Sequence, residues 1–214
     1  MLIQYLDFFK ENLRANPAAQ EYLIRRGLSE PTIEVLEIGY CDRVTDSTMY
    51  KFNNRVIFPI FNADCDLVAF GGRTMIGSPD KYINSADSPL YSKSRTLYNL
   101  DKAQDHILEA GYAIVVEGYF DVAMLWEYGI KNVVSTCGTA MTKYQLRLLK
   151  RYADWVSICY DGDSAGARAA ARAAEGLADE RFPIKVVSLP DGMDPDDFVA
   201  KHGGVDFVRL VNGK

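Results

Sequence analysis

Tyr160-Asp161-Gly162-Asp163-Ser164-Ala165-Gly166 decides the fold. The five residues before it, Trp155-Val156-Ser157-Ile158-Cys159, are a run of β-formers. The stretch after it, 164–179, is rich in Ala and is a good helix former. A strand that ends in two aspartates and turns at once into a helix is one unit of an alternating β–α chain. Gly162 permits a tight turn between the acids, and Ser164 suits the helix N-cap.

The same unit recurs on both sides. A strand over 112–116 leads into Glu117-Gly118-Tyr119-Phe120-Asp121 and a helix over 121–128. A strand over 132–136 leads through Cys137-Gly138-Thr139-Ala140 into a helix over 142–152. A strand over 184–189 is followed by Asp194-Pro195-Asp196-Asp197 and a helix over 195–201, with Pro195 suited to a first helical position. Strands alternating with helices predict a parallel sheet covered on both faces. Ligands in such sheets bind beyond the carboxyl ends of the strands, where all the acidic motifs fall.

Converging carboxylates repel one another unless a hard cation joins them. Mg²⁺ takes oxygen ligands and keeps several waters, so one or two carboxylates per ion suffice. Glu117, Asp161, Asp163, Asp194 and Asp196 are therefore the candidate metal-site acids. Such a site orients phosphates and stabilises charge on attacking and leaving oxygens. Taken singly, each acid has a plainer reading: an aspartate before a helix is a cap, and Glu117 is a turn carboxylate. Their joint placement at successive strand ends favours the metal. Gly138-Thr139 is a candidate phosphate-facing turn. The aromatics Tyr119, Phe120 and Trp126 read as core.

Upstream, Leu2, Tyr5, Leu6, Phe9 and Leu13 recur at helical spacing. A second helix spans 17–26, Gly27 caps it, and a third runs from Ser29-Glu30-Pro31-Thr32 to about residue 37. Strands over 56–61 and 67–73 flank a turn at 62–66 and predict a hairpin. Residues 77–94 read as an exposed polar loop, and a helix follows within 97–110, starting at Asn99 or Asp101. Residues 41–54 carry no clear pattern. The implied organisation is an α+β amino-terminal subdomain over 1–110, a parallel-sheet domain over 111–205 and a carboxyl-terminal tail over 206–214.

The 214 residues are 48% hydrophobic and 25% charged, ordinary for a globular protein. With 24 basic and 29 acidic residues the formal net charge is -5, which excludes a protein that coats DNA nonspecifically. Cys41, Cys65, Cys137 and Cys159 form no CxxC pair, and His106 and His202 lie apart from them, so no zinc is expected. Cys137 and Cys159 read as reduced packing residues. No signal segment and no run of about 18 apolar residues is present, which predicts a cytoplasmic protein with no membrane partner.

Glu117-Gly118-Tyr119-Phe120-Asp121, Asp161-Gly162-Asp163-Ser164-Ala165-Gly166 and Asp194-Pro195-Asp196-Asp197 resemble the Toprim signature. With Arg55-Val56-Ile57-Phe58-Pro59-Ile60, Ala69-Phe70-Gly71-Gly72-Arg73, Lys81-Tyr82-Ile83-Asn84-Ser85 and Ser92-Lys93-Ser94-Arg95-Thr96-Leu97-Tyr98, the chain resembles bacterial DnaG-type primases over roughly 18–205. The resemblance implies a Toprim-type parallel sheet flanked by helices and preceded by a small α+β subdomain. The activity it implies is DNA-dependent RNA primer synthesis, a metal-dependent nucleotidyl transfer from ribonucleoside triphosphates on a single-stranded DNA template. The same five acids become the metal site, with Mg²⁺ as cofactor and Mn²⁺ as the alternative. Glu117, Asp161 and Asp163 are then catalytic, and Asp121 is a supporting acid.

Taken alone, the charges of 73–95 read as a solvated surface. The resemblance assigns Lys81, Asn84 and Lys93 to nucleotide or template contact, with Arg55 and Arg73 as further candidates and Tyr82 placed to stack on a base. The zinc ribbon and the helicase-docking domain of such primases have no counterpart in these residues, and 39–55 is shorter than the family's usual amino-terminal subdomain. A replicative helicase or other replication protein is thus a partner without its usual dock. Two other functions use the same fold: a Toprim-type metal-dependent nuclease, and a non-catalytic docking module for replication proteins. The Lys-Tyr-Ile-Asn-Ser segment and the intact acidic set favour the primase.

Overall fold

The computed structural model describes residues 2–76, 80–138, 140–162, 164–177 and 180–213. They form two compact units, Met1–Tyr91 and Ser92–Lys214. The division falls at Tyr91/Ser92 and not near residue 110, so the helix before the parallel sheet belongs to the second unit.

In the first unit, α1 (Leu2–Ala15), α2 (Pro17–Arg25) and α3 (Glu30–Val35) precede an antiparallel sheet. Its strands β1 (Gly39–Cys41), β2 (Arg55–Phe61), β3 (Leu67–Thr74) and β4 (Tyr82–Asn84) lie in that order. The apolar stripe of α1 buries Leu6, Phe9 and Leu13. Leu6 and Phe9 enter a core with Cys41, Phe52, Ile57 and Phe70, where the Phe9 and Phe70 rings meet edge-on at 5.3 Å. Asn16 caps α2, accepting from the Ala19 N–H at 3.0 Å. The hairpin forms as the sequence predicts, its turn closed by Asn62, whose side chain accepts from the N–H groups of Asp64 and Asp66. Strand β4 falls inside the segment that reads as a loop. It has three residues, all half-buried, and among the described residues it pairs with β3 at the sheet's edge, so no apolar alternation announces it.

The second unit alternates as expected. Its elements are α4 (Leu100–Ala110), β5 (Tyr112–Val116), α5 (Tyr119–Glu127), β6 (Val133–Ser135), α6 (Lys143–Leu149), β7 (Trp155–Ile158), α7 (Ser164–Gly176), β8 (Ile184–Val186), α8 (Pro195–His202) and α9 (Gly204–Asn212). The four strands are parallel in the order β6-β5-β7-β8. The chain passes from β5 to β6 on one side and to β7 on the other. The carboxyl ends of β5 and β7 therefore flank a topological switch point, the ligand position of open α/β sheets.

Every residue of α5 from Tyr119 to Trp126 is buried, so the helix carries Asp121 inside with it. Helix α9 replaces the tail expected over 206–214. Gly203, at φ 85°, ends α8, and Phe207 and Val211, four residues apart, bury one face of α9. The Phe207 ring meets Phe198 of α8 at 5.9 Å. Among the described residues no helix is long and apolar enough to cross a membrane.

Phe207→Ala removes a fully buried ring and is expected to cost about 3 kcal/mol or more. A urea unfolding series measures it; a loss below about 0.5 kcal/mol would mean that 206–214 is the unpacked tail the sequence suggested.

Candidate metal centre

Two helix N-termini beyond the strand ends of the second unit, those of α5 and α8, carry acid. Asp121 is the third residue of α5, and its carboxylate accepts from the Gly118 N–H at 2.8 Å, the return half of a capping box. Asp194 is the N-cap of α8 and accepts from the Asp197 N–H at 2.8 Å. Pro195 follows it, lacking an N–H where none is needed. Asp196 is the second residue of α8 and is buried. Helix α5 packs on α8, and this brings one carboxylate oxygen each from Asp121, Asp194 and Asp196 within 4.8 Å of one another.

Two glycines fix the loop that carries Asp161. The Gly162 N–H donates to the Met193 carbonyl at 2.8 Å, pinning the loop to the turn that leads into Asp194. A Cβ on Gly162 would sit 2.7 Å from the Met193 oxygen and 2.9 Å from the Leu189 oxygen. A Cβ on Gly166, in the first turn of α7, would sit 2.2 Å from the Asp161 carbonyl oxygen. Both positions need glycine because backbone approaches there, which refines the tight-turn reading of Gly162.

Electrostatics ties Asp161 to the group. The Asp121 carboxyl is held well above the ordinary carboxylate range, by burial first and then by the charges of Asp196 and Asp161, against the pull of the Gly118 N–H. Burial first, then the charges of Asp121 and Asp161, push the Cys159 thiol up. Two carboxylates 4.8 Å apart repel by roughly 3 kcal/mol at an effective dielectric of about 20. A helix N-terminus returns only about 0.3–1 kcal/mol. The dipoles cannot offset the repulsion, so the site holds a proton or a cation. An all-oxygen donor set of this kind fits a hard divalent ion.

The sequence-predicted acids divide accordingly. Asp194 and Asp196 stand in the close group and Asp161 beside it. Asp163 and Thr139 lie outside the described residues. Glu117 stands at the end of β5 but outside the close trio. Its backbone carbonyl accepts from the Ser135 hydroxyl at 2.7 Å and the Gly138 N–H at 3.2 Å, while its charge reaches the Tyr160 hydroxyl, which burial pushes up to about 12. The Gly138 N–H is thus used within the fold, which removes it as a phosphate donor. Asp121, read from sequence as a supporting acid, is a member of the close trio.

The basic candidates gather mostly on the first unit. Arg73 lies opposite Tyr82 on β3 and β4; its guanidinium donates to the Tyr82 hydroxyl and lies 5.1 Å from that ring's centroid. Arg73 is buried. Arg55 donates to the Asp80 carbonyl at 2.9 Å. Lys51, which the sequence reading missed, donates to the Asn84 carbonyl at 2.6 Å; it lies in the patternless stretch 41–54, where its only signal was its charge. Lys81 is exposed, 6.0 Å from the Tyr82 ring centroid. Lys93 belongs to the second unit, where its carbonyl accepts from Gln145 at 2.9 Å.

A parallel sheet whose switch-point strands end in clustered acids defines a Toprim-type domain, and residues 114–199 match the Toprim-like family. Residues 42–104 match the amino-terminal domain of the DNA primase catalytic core. The DNA primase of Halalkalibacterium halodurans is 38% identical over 92% of this chain, which spans 38% of that protein's length. Among solved structures, the Aquifex aeolicus primase (zinc-binding and RNA polymerase domains) superposes with a TM-score of 0.92 at 33% identity, over 99% of this chain and 59% of that one. A DnaG primase catalytic domain bound to single-stranded DNA gives 0.88 at 32% identity, over 98% of this chain and 76% of that one. The chain belongs to the DnaG-type primase family.

The raised carboxyl gives a pH prediction. Asp121 binds its proton more tightly folded than unfolded, so the stability this confers is full below about pH 4, the ordinary range, and is lost as pH rises through the raised value. A divalent ion replaces the proton, so the gain in Tm on adding Mn²⁺ to EDTA-treated protein should be larger at pH 8 than at pH 5. Asp121→Asn should flatten both trends; an equal Mn²⁺ gain at the two pH values would contradict the assignment. Separately, Gly162→Ala should weaken Mn²⁺ binding by about 10- to 100-fold, as a lost supporting contact does, with the far-UV circular dichroism unchanged. Titration calorimetry reads the affinity.

Proposed function

We propose that the chain carries the nucleotidyl-transfer centre for DNA-templated RNA primer synthesis. One observation carries the reading: Asp121, Asp194 and Asp196 meet at the carboxyl edge of the parallel sheet, in a chain of the DnaG-type primase family. The single-stranded DNA on the related catalytic domain supports a DNA template. Ribonucleoside triphosphates are the substrates.

Asp121, Asp194 and Asp196, with Asp161 beside them and Asp163 from the sequence pattern, are the residues that would hold the cofactor, Mg²⁺ or Mn²⁺. When bound, such a cation neutralises triphosphate charge and lowers the effective pKa of the attacking hydroxyl. In the reaction, the 3′-oxygen of the primer or initiating nucleotide bonds to the α-phosphorus of the incoming nucleotide, and the bond to pyrophosphate breaks. Glu117, at the edge of the group and outside the close trio, takes the hydroxyl proton. Burial of Asp121 and Asp196 keeps water from competing for the acids. Tyr82, oriented by Arg73, offers a face to a base. Lys81 and Asn84, on the strand edge that Arg55 and Lys51 tie down, contact phosphate or template, as does Lys93.

Incubation with single-stranded DNA, labelled ribonucleotides and Mg²⁺ or Mn²⁺ should yield short RNA products that vanish in Asp161→Ala. Cleavage of the DNA with no incorporation would make the protein a nuclease instead. Loss of both activities with partner binding retained would make it a docking module. Lys81→Ala should weaken nucleotide or template binding about tenfold while Mn²⁺ affinity stays unchanged; unaltered nucleotide and template affinity would remove Lys81 from the site.

A further inference from the structure

The exposed face of α6 is built from cations and one aromatic ring. Residues 141–153 contain Lys143, Arg147, Lys150 and Arg151 and no acid, in a chain whose net charge is -5. Lys143, Tyr144, Arg147 and Arg151 are all exposed. Lys143 and Arg147 stand one turn apart, and Arg151 follows the C-cap, Lys150. The row from Lys143 to Arg151 extends about 12 Å at helical rise.

The neighbouring turn adds to this face and is fastened to it. The Thr142 hydroxyl donates to the Ser94 carbonyl at 2.6 Å. Gln145, fully buried, donates from one nitrogen to the carbonyls of Lys93 at 2.9 Å and Thr96 at 2.8 Å. These bonds hold Arg95 where its guanidinium lies 4.4 Å from the centroid of the Tyr144 ring. Tyr144 is nonetheless 52% exposed. Arg147 is engaged by Glu180 at 2.7 and 3.1 Å, which braces the helix face against the segment after α7. Arg95, Lys143 and Arg151 are exposed on the same face, Arg151 with its guanidinium 5.5 Å from the Tyr152 ring centroid.

We propose that this face is a second contact for single-stranded nucleic acid, with a base stacked on Tyr144 and phosphates on Lys143 and Arg151. A large ring held at the surface by a guanidinium is a preformed platform, since the pair presents a flat aromatic face at little ordering cost. Flanking cations supply the counterion-releasing contacts that a phosphate backbone rewards. A duplex keeps its base faces stacked inside and cannot use the ring. The ligand class follows from the face itself, and the proposal stands whether or not the acidic site makes RNA.

Fluorescence anisotropy of a labelled oligo-dT, in EDTA so that the acidic site does not contribute, tests it. Tyr144→Ala should weaken binding by about 5- to 100-fold, and Tyr144→Phe, which keeps the ring, should bind as the wild type does. The double variant K143Q/R151Q should reduce the slope of log affinity against log salt by about 1.4, or about 0.7 for each lost phosphate contact. Oligo-dT affinity unchanged in Tyr144→Ala, a salt slope unchanged in the double variant, or no binding by the wild type would overturn the proposal. Loss of primer synthesis in Asp161→Ala with these affinities intact would support it as a separate surface.

Discussion

Mutual repulsion among Asp121, Asp194 and Asp196 is the constraint on which the second unit depends. Their oxygens lie within 4.8 Å of one another, and nothing in the backbone dipoles matches the cost. The arrangement persists because two helices are packed for other reasons. Helix α5 is buried from Tyr119 to Trp126, so Asp121 goes inside as part of its first turn. Helix α8 is anchored through Phe198 to Phe207 of α9. Hydrophobic packing does the positioning, and the acids bear the electrostatic penalty that a cation relieves.

This division explains what the sequence made legible. In the parallel sheet each strand end was visible because a β-branched or aromatic run stops near an acid, a glycine or a proline, and the starts of α6 and α8 because a cap stands there. That was sufficient for the alternating topology and for the edge on which the site lies. It was not sufficient to sort the acids. In sequence Asp121 opens an apolar helix, four places after Glu117, and it reads as secondary. Only the packing of α5 on α8, a contact between segments more than 70 residues apart, makes it a member of the trio. Glu117 ends β5 outside that trio, since a place at a strand end does not by itself bring a carboxylate into it.

The elements that escaped the sequence share one cause: each is held by tertiary contacts and not by a pattern of its own. Strand β4 has three residues and one partner strand. Helix α9 buries two side chains, spaced by four, after a glycine that looks like the end of the domain. Lys51 donates to the Asn84 carbonyl, a contact that its charge alone does not announce. Arg73 shows the same limit for chemistry, because a buried arginine opposite a tyrosine cannot be told from an exposed one by composition.

Packing that creates the site also couples it to the rest of the unit. A cation that binds the trio favours the conformations in which α5 and α8 are docked, and by linkage whatever favours that docking favours the cation. Helix α9 reaches none of the acids in sequence, yet its hold on α8 enters the same free energy. The loop of Asp161 joins the coupling through Gly162, whose N–H is bonded to the Met193 carbonyl one residue before Asp194. Three helices and a loop, each ordinary alone, thus share one thermodynamic unit whose central contact is unfavourable until a cation completes it.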